Sequence, residues 1–468
     1  VNYLLEELRL EGVDVEDVLQ DYGLPNTRPE QEVRAFKRSI LYHKGLDPTS
    51  TGKRAARILA QKCDEARTHI EDDWYSIENW IAAAKTIDIS RSPGPLWTRI
   101  GCMKNDHVLK RFDPDDRENA FRKLALASKE WFENANCGIY GAFSKWELHT
   151  IEKLSDNRQR LIMGAHLYQQ IAEALIFIIS GFSAKLRDAA PNIPVATGYI
   201  TANNVFNTVF QNVPVRKGHK ILGLDVSSAD VCITQDSVEN NLVFIQNMTY
   251  GDQDTLDAFY ATVRRCYWLA FKKCVFIFSD GTMYLQLMWG YLKSGAKFTL
   301  DFNSIDTCIK SMQVRLNIGH TEEEVFKAWL IGLGDDSMDQ LPEKDIDAFV
   351  DEKRKLGCTV KESEKQVTDT VLGQEFCGFT VMKTRYHKRE VFGLIPTRYE
   401  KQLLNLCYTK ECSIPNALNS YRINWYHDKE AYTAADRIFV RLIKAGKAST
   451  TDYTFKERIG WVLYGDQA

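Results

Sequence analysis

Two short apolar runs that each end on an acid constrain this chain more than any other feature. Lys220-Ile221-Leu222-Gly223-Leu224-Asp225 reads as a buried strand that delivers a carboxylate at its tip. Trp329-Leu330-Ile331-Gly332-Leu333 reads as a second such strand and runs straight into Gly334-Asp335-Asp336-Ser337-Met338. Helical patterns lie between them, from about Asp254 to Lys273 and from about Phe302 to Leu316, and another follows from Asp345 to about Leu356. The chain must therefore build a sheet whose strands bring acids together.

Converging acids suit hard divalent ions. Mg²⁺ takes oxygen ligands and keeps several waters, so one or two carboxylates from each of two neighbouring strands suffice. A pair of ions about 3.5–4 Å apart can stabilise both the attacking and the leaving oxygens of an in-line phosphoryl displacement. Gly334 permits the sharp turn that such a site needs. Two further patterns accompany these acids. Asp225-x4-Asp230 adds a carboxylate within one turn or loop, and Ser294-Gly295-x3-Thr299-x3-Asn303 sets Thr299 and Asn303 on one helical face. Each pattern taken singly has a plain alternative: a polar turn, an Asp/Ser helix cap, or a capped helix with a solvated stripe. Their order along one chain is what points to a site.

The remaining sequence narrows the classes. The 60 Lys+Arg and 63 Asp+Glu give a formal charge of -3, so affinity for nucleic acid must come from local basic clusters. Eleven cysteines without a CxxC pair read as reduced thiols, because Cys407 and Cys412 lack a second pair. The apolar stretch Ile171 to Ile179 is too short for a bilayer span, and no signal peptide is expected at the acidic amphipathic start. Thr51-Gly52-Lys53-Arg54 lacks the earlier glycine and the Ser or Thr of a phosphate-binding loop. Up to about Ile89 the pattern is one of helices separated by polar turns. A Pro/Gly loop follows at Arg91 to Trp97, charged helical patterning runs from about Asp113 to Asn134, and Glu375 to Val381 reads as one strand. Helical, aromatic-rich sequence fills the remainder from about Thr397.

Taken together, these residues resemble the palm signatures of viral RNA-dependent RNA polymerases: Asp225 and Asp230 for the first motif, Ser294, Gly295, Thr299 and Asn303 for the second, Gly334, Asp335 and Asp336 for the third. Lys145-Trp146-Glu147-Leu148 and Arg158-Gln159-Arg160-Leu161-Ile162 look like the family's basic fingers motif over the triphosphate, with Lys153 between them. Ser92-Pro93-Gly94-Pro95 looks like the loop at the template entrance, Leu356-Gly357 with Lys365 like the fourth palm motif, and Phe376 to Phe379 like the hairpin that grips the primer. The closest likeness is to the polymerases of partitiviruses and picobirnaviruses, small double-stranded RNA viruses, with sobemovirus-like enzymes sharing much of it. Leu333 and Ala229 depart from the aromatic residues common at those positions.

The resemblance implies an α+β right-hand fold. Its parts would be an N-terminal helical extension (1–90), fingers (91–219 and 237–290), a palm with an antiparallel sheet (220–236 and 291–390) and a helical thumb (391–468). It implies Asp225 and Asp335 as principal ligands of Mg²⁺ or Mn²⁺, with Asp336 as auxiliary acid, the Val226 carbonyl as a further ligand and Lys365 as general acid. Lys145, Lys153, Arg158 and Arg160 would bind triphosphate, and Asp230, Ser294, Gly295, Thr299 and Asn303 the ribose. Implied partners are RNA template, nascent RNA and ribonucleoside triphosphates, with the capsid protein as a further candidate, in the virion interior or host cytoplasm. The rivals are a reverse transcriptase-like polymerase and a non-catalytic RNA-binding protein. The first usually carries a bulky side chain where Asp230 stands, and the second makes the acids mere turn residues.

Overall fold

The computed structural model describes residues 2–198, 205–214, 216–227 and 229–464, so Ser228 of the first acidic motif lies outside the described residues. In chain order the strands used below are β1 (Gly138–Ser144), β2 (Leu161–Ala165), β3 (His219–Ser227), β4 (Cys274–Phe278) and β5 (Met283–Gln286). Then come β6 (Leu330–Leu333), β7 (Asp336–Pro342), β8 (Thr359–Thr368), β9 (Glu375–Phe376), β10 (Phe379–Tyr386) and β11 (Arg389–Pro396). The helices are α1 (Asn2–Leu10), α2 (Val15–Asp21), α3 (Pro29–Ile40), α4 (Ser50–Lys62), α5 (Leu167–Ala174), α6 (Thr299–Asn317), α7 (Ile346–Lys355), α8 (Ile414–Asn424) and α9 (Lys429–Lys444).

Both acid-tipped runs form strands of one antiparallel sheet, in the order β6-β7-β3-β8. Alternation along β3 explains the apolar run. Leu222, Leu224 and Val226 bury on one face against Val314 of α6 and Ile346, Phe349 and Val350 of α7. Ile221 points to the opposite face and packs with Ile331 and Met338. Each fully buried aliphatic side chain contributes about 1.5–3 kcal/mol, enough for this face of β3 to fix its register. Asp225 follows Leu224 on the Ile221 face and is exposed at the strand end. The pairing Leu333↔Asp336 leaves Gly334-Asp335 as a two-residue hairpin loop. Gly334 sits at φ +61°, a value that tight hairpin loops demand and that glycine adopts without a Cβ clash.

A second sheet, ordered β2-β1-β4-β5, is antiparallel except for the parallel β1/β4 pair. Phe36 of α3 packs on Phe276 and Phe278 of β4, inside the largest core cluster. A parallel backbone bridge between Gly164 of β2 and Gly295 ties this second sheet to the segment just ahead of α6. Helix α6 is buried almost all round, and its interior charges form ion pairs, Lys310 with Asp306 at 2.8 Å and Arg315 with Asp339 at 3.1 Å.

Two expectations need correction. Glu375 to Val381 is not one strand, because Cys377 and Gly378, at φ +55° and +77°, turn the chain between β9 and β10. Residues 1–90 do not stand apart as an extension. Leu4, Leu8, Val13 and Val15 of the first two helices and the loop between them bury against Leu418 of α8 and Ile438, Phe439 and Leu442 of α9. Phe36 of α3 and Ala55, Ala56 and Leu59 of α4 belong to the main core. Apolar faces on short helices cannot remain in water, and here the body of the chain covers them. Among the described residues no single helix is long and apolar enough to cross a membrane, and the cysteines are free thiols.

Candidate active site

A cavity of about 540 Å³ opens between the acid-bearing sheet and the loop joining β1 to β2. Asp225, Val226, Asp230, Asp335, Ser294, Thr299 and Asn303 line it from the sheet and α6, and Lys145, Lys153, Arg158 and Arg160 from the loop. Asp336, Gly295 and Lys365 are not among its lining residues.

The acids gather because of register. Leu224 of β3 pairs with Ser337 of β7, so the next residues outward, Asp225 near the end of β3 and Asp336 at the start of β7, stand on adjacent strands, with Asp335 in the loop beyond. Like charges at such spacing disfavour ionisation. Burial, then the charges of Asp335 and Asp225, push Asp336 up to about 7, against a hydrogen bond from Cys377. Burial also pushes Asp230 up to about 6, with the Asp335 charge in the same direction, although the Val231 N–H donates to its carboxylate at 3.0 Å. A divalent cation relieves this mutual repulsion, so the donor chemistry fits a hard ion. Among the described residues no cluster of three or more His, Cys, Asp or Glu side chains is arranged to hold a metal by itself. An ion here would rely on Asp225, Asp335, backbone oxygen, water and phosphate.

Helix α6 fixes the acidic turn. The Gly334 N–H donates to Ser304 Oγ at 2.8 Å, and Thr307 Oγ1 donates to the Gly334 carbonyl at 2.7 Å. Gly332 leaves room for the helix, since a Cβ there would stand 2.8 Å from Cys308 Sγ. Asn303 lies beside the same turn, with its Nδ2 3.9 Å from where a Cβ on Gly334 would be.

The Ser294-Gly295 pair has a different job from the one the sequence suggests. Ser294 Oγ accepts from the Met163 N–H at 3.2 Å and donates to the Leu161 carbonyl at 3.4 Å. The Gly295 N–H donates to the Met163 carbonyl at 3.1 Å, and a Cβ on Gly295 would stand 2.5 Å from that oxygen. The pair therefore docks β2, the strand that follows Arg160. Thr299 Oγ1 shares its proton between the carbonyls of Lys293 and Ala296, at 2.6 and 2.8 Å. Of the five residues expected at the ribose, Asp230 and Asn303 are left to face the cavity with polar groups not given over to this loop.

The basic side chains are held by neighbouring acids. Lys145 and Arg160 meet Glu147 at 2.8 and 3.5 Å, and Arg158 meets Glu152 and Asp156 at 2.6 and 3.0 Å. Burial raises the Glu147 carboxyl, but Lys145 and Arg160 outweigh it and hold the group below its ordinary value. Such half-exposed pairs are worth roughly 0–1 kcal/mol and exchange readily for a more highly charged anion.

Lys365 does not reach the cavity. It pairs with Leu224 across β8 and β3, which puts it on the α7 face of the sheet, opposite Asp225. There its ammonium meets Asp347 at 2.7 Å and Glu362 at 3.7 Å. Strand alternation overrides the spacing from Gly357 that suggested a general acid. The Ser92 to Pro95 loop also lies outside the cavity lining, tied to the start of α5 by a 3.0 Å bond from the Leu167 N–H to the Pro93 carbonyl. Sequence reasoning missed Arg38, Ser39 and Tyr42 at the end of α3, as well as His149 and Tyr291, all of which line the cavity. Only the amphipathic pattern of α3 is legible in the sequence, and it does not mark which polar residues face a ligand. Tyr291 stands at φ +60°, a left-handed conformation that costs a bulky residue about 1–3 kcal/mol.

The family model described as viral RNA-dependent RNA polymerase matches residues 72–447. The chain is 27% identical over 264 residues to the replicase polyprotein P2AB of southern bean mosaic virus, covering 53% of this chain and 24% of that protein. It is 25% identical over 300 residues to the RNA-directed RNA polymerase of mushroom bacilliform virus, covering 61% of this chain and 68% of that protein. Against the replicase polyprotein P2AB of southern cowpea mosaic virus it is 25% identical over 277 residues, 56% of this chain and 26% of that protein. The chain thus spans about a quarter of each polyprotein that it matches.

Proposed function

The chain belongs to the viral RNA-dependent RNA polymerase family, and from that premise we propose that it copies viral RNA by template-directed addition of ribonucleotides at the cavity above β3 and β7. The observation that carries this reading is the meeting, in one cavity, of Asp225 from β3, Asp335 from the β6–β7 hairpin loop, a loop of four cations, and Asp230 with Asn303. A right-hand architecture follows from it, with the acid-bearing sheet as palm, the β1–β2 region as fingers and the C-terminal helices as thumb. We extend the proposal to genome replication and transcription, in the virion interior or host cytoplasm, with the capsid protein as a partner. Phe298-Thr299 and Asn303-Ser304-Ile305 support a partitivirus or picobirnavirus lineage, and the similarity to the mushroom and bean virus proteins supports a neighbouring one.

Each side chain has a defined task in this reading. Asp225 and Asp335, with the Val226 carbonyl, would hold Mg²⁺ or Mn²⁺. Such ions, when bound, supply Lewis acidity to the attacking and leaving oxygens. Asp336 stands beside these two acids, its carboxyl raised by burial and by the charges of Asp335 and Asp225, and an ion held by them would remove the second cause. Arg158, Arg160 and Lys145 exchange Glu147, Glu152 and Asp156 for the triphosphate, and with Lys153 they stabilise charge growing on pyrophosphate. Asp230 and Asn303 hydrogen-bond the 2′-hydroxyl, and with a deoxyribonucleotide they are left unpaired. Lys365 has no part, because it lies on the other face of the sheet.

The test is incorporation of labelled ribonucleotides on an RNA template with Mg²⁺ or Mn²⁺. Wild-type synthesis should vanish in Asp335→Ala while RNA binding persists, and Asn303→Ala should reduce the preference for ribonucleotides. Equal synthesis by wild type and Asp335→Ala would defeat the proposal.

A further inference from the structure

Lys293 carries a buried ammonium for which the reaction above has no use. The residue is 1% exposed, and its Nζ lies 5.3–5.8 Å from the ring centroids of Tyr140, Phe271, Phe276 and Tyr291. It donates to Gln286 Oε1 and the Tyr291 carbonyl, both at 2.7 Å, and more weakly to the Gly290 carbonyl at 3.4 Å. No ion pair is recorded for it among the described residues. An ammonium without a direct counter-ion is costly to bury, and an apolar side chain of the same length would fill this cage at less cost. Burial pulls the group down to about 8, with Cys274 and Asp230 acting the other way.

The position of the charge shows what it accomplishes. The side chain ties down the carbonyls of Gly290 and Tyr291, both at positive φ, +116° and +60°. The next residue, Leu292, donates its N–H to the Asp230 carbonyl at 2.7 Å. The Lys293 carbonyl accepts from Thr299 Oγ1 at 2.6 Å, at the first turn of α6, and Asn303 follows one turn later. Lys293 is thus the junction between the backbone of Asp230 and the helix that carries Asn303.

We propose that Lys293 is a positioning residue for sugar selection: its caged ammonium holds the left-handed bend at Tyr291, and so fixes the placement of Asp230 and Asn303 relative to each other across the cavity. The proposal rests on the ribonucleotide-polymerising reading above. It assigns no contact between Lys293 and substrate.

The experiment compares kcat/KM for a ribonucleotide and its 2′-deoxy analogue in wild type, Lys293→Met, Lys293→Gln and Lys293→Arg. Methionine keeps the volume without the donors, glutamine keeps a shorter neutral donor, and arginine keeps the charge. The ratio of the two substrates is taken on one preparation, so an inactive fraction cancels. Lys293→Met should lose about tenfold in ribose preference and raise KM for the ribonucleotide more than it lowers kcat, with RNA-template affinity unchanged. Lys293→Arg should recover part of the preference, and Lys293→Gln should lose part of it relative to wild type, which keeps the test readable where methionine does not yield folded protein. Unchanged preference in the neutral variants, or equal losses on both substrates, would overturn the proposal while leaving the polymerase reading intact. A wild type that incorporates no ribonucleotide would sink both.

Discussion

At the scale of single residues, the charged groups are of two kinds. Asp225 and Asp335 were legible in the sequence because an acid after an apolar run is a local pattern. Glu173 and Lys293 were not, since what buries them is packing by residues distant in sequence, such as Tyr140 and Lys297. Glu173 on α5 is fully buried, and its carboxylate accepts from the Lys297 N–H at 2.8 Å and from Gln169 Nε2 at 3.1 Å. Burial raises it to about 7 from 4.5, although those two donors pull the other way. Because the folded value exceeds the unfolded one, the stabilisation is complete below about pH 4.5 and is lost as pH rises through 7. We expect wild-type stability to fall by roughly 1–3 kcal/mol between pH 5 and 8 from this group. Glu173→Gln should flatten the change of Tm with pH over that window. An unaltered pH slope in the variant would show that Glu173 does not titrate there.

At the scale of elements, the acidic hairpin depends on α6 for its shape. Ser304→Ala removes the acceptor of the Gly334 N–H and should cost about 1 kcal/mol of stability. Its effect on turnover should be larger, about tenfold in kcat, because the turn that carries Asp335 loses one of two anchors. RNA affinity should be unchanged, and a variant with wild-type kcat would show that the Thr307 anchor suffices. The sequence foretold β3 and β6 from their apolar runs, and α6 to within three residues of its start. It concealed the turn at Cys377, which interrupts an apolar string without a proline or an acid. It also concealed β4, whose Cys274–Phe278 run directly follows a long helix and offers no boundary signal.

At the scale of the whole molecule, the two ends of the chain close on each other. Arg441 of α9 bonds to Glu7 of α1 and meets Glu11 at 2.6 Å, beside the buried contacts of Leu4 and Leu8. From there the chain returns toward the cavity, pairing Tyr22-Gly23 with His149-Thr150 next to the basic loop. Leu8→Ala should cost this contact about 2–5 kcal/mol. In limited proteolysis it should expose residues 2–28 to early cleavage while the main core stays protected. Simultaneous digestion of both regions would mean that the N-terminal helices fold as one cooperative unit with the rest.

By itself, the sequence determined the chemistry: which residues are acids, which are cations, and in what order they arrive. Those properties are local, because the chemistry of a side chain and its place in the order of motifs do not depend on how the chain packs. Tertiary structure alone decided three other matters. It turned Lys365 to the far face of the sheet through strand alternation, and it committed Ser294 to backbone atoms 131 residues away. It also joined Arg441 to Glu7 across 434 residues. The physical reason is the same in each case: a hydroxyl, an ammonium or an apolar face has many acceptable partners, and only the packed chain selects one.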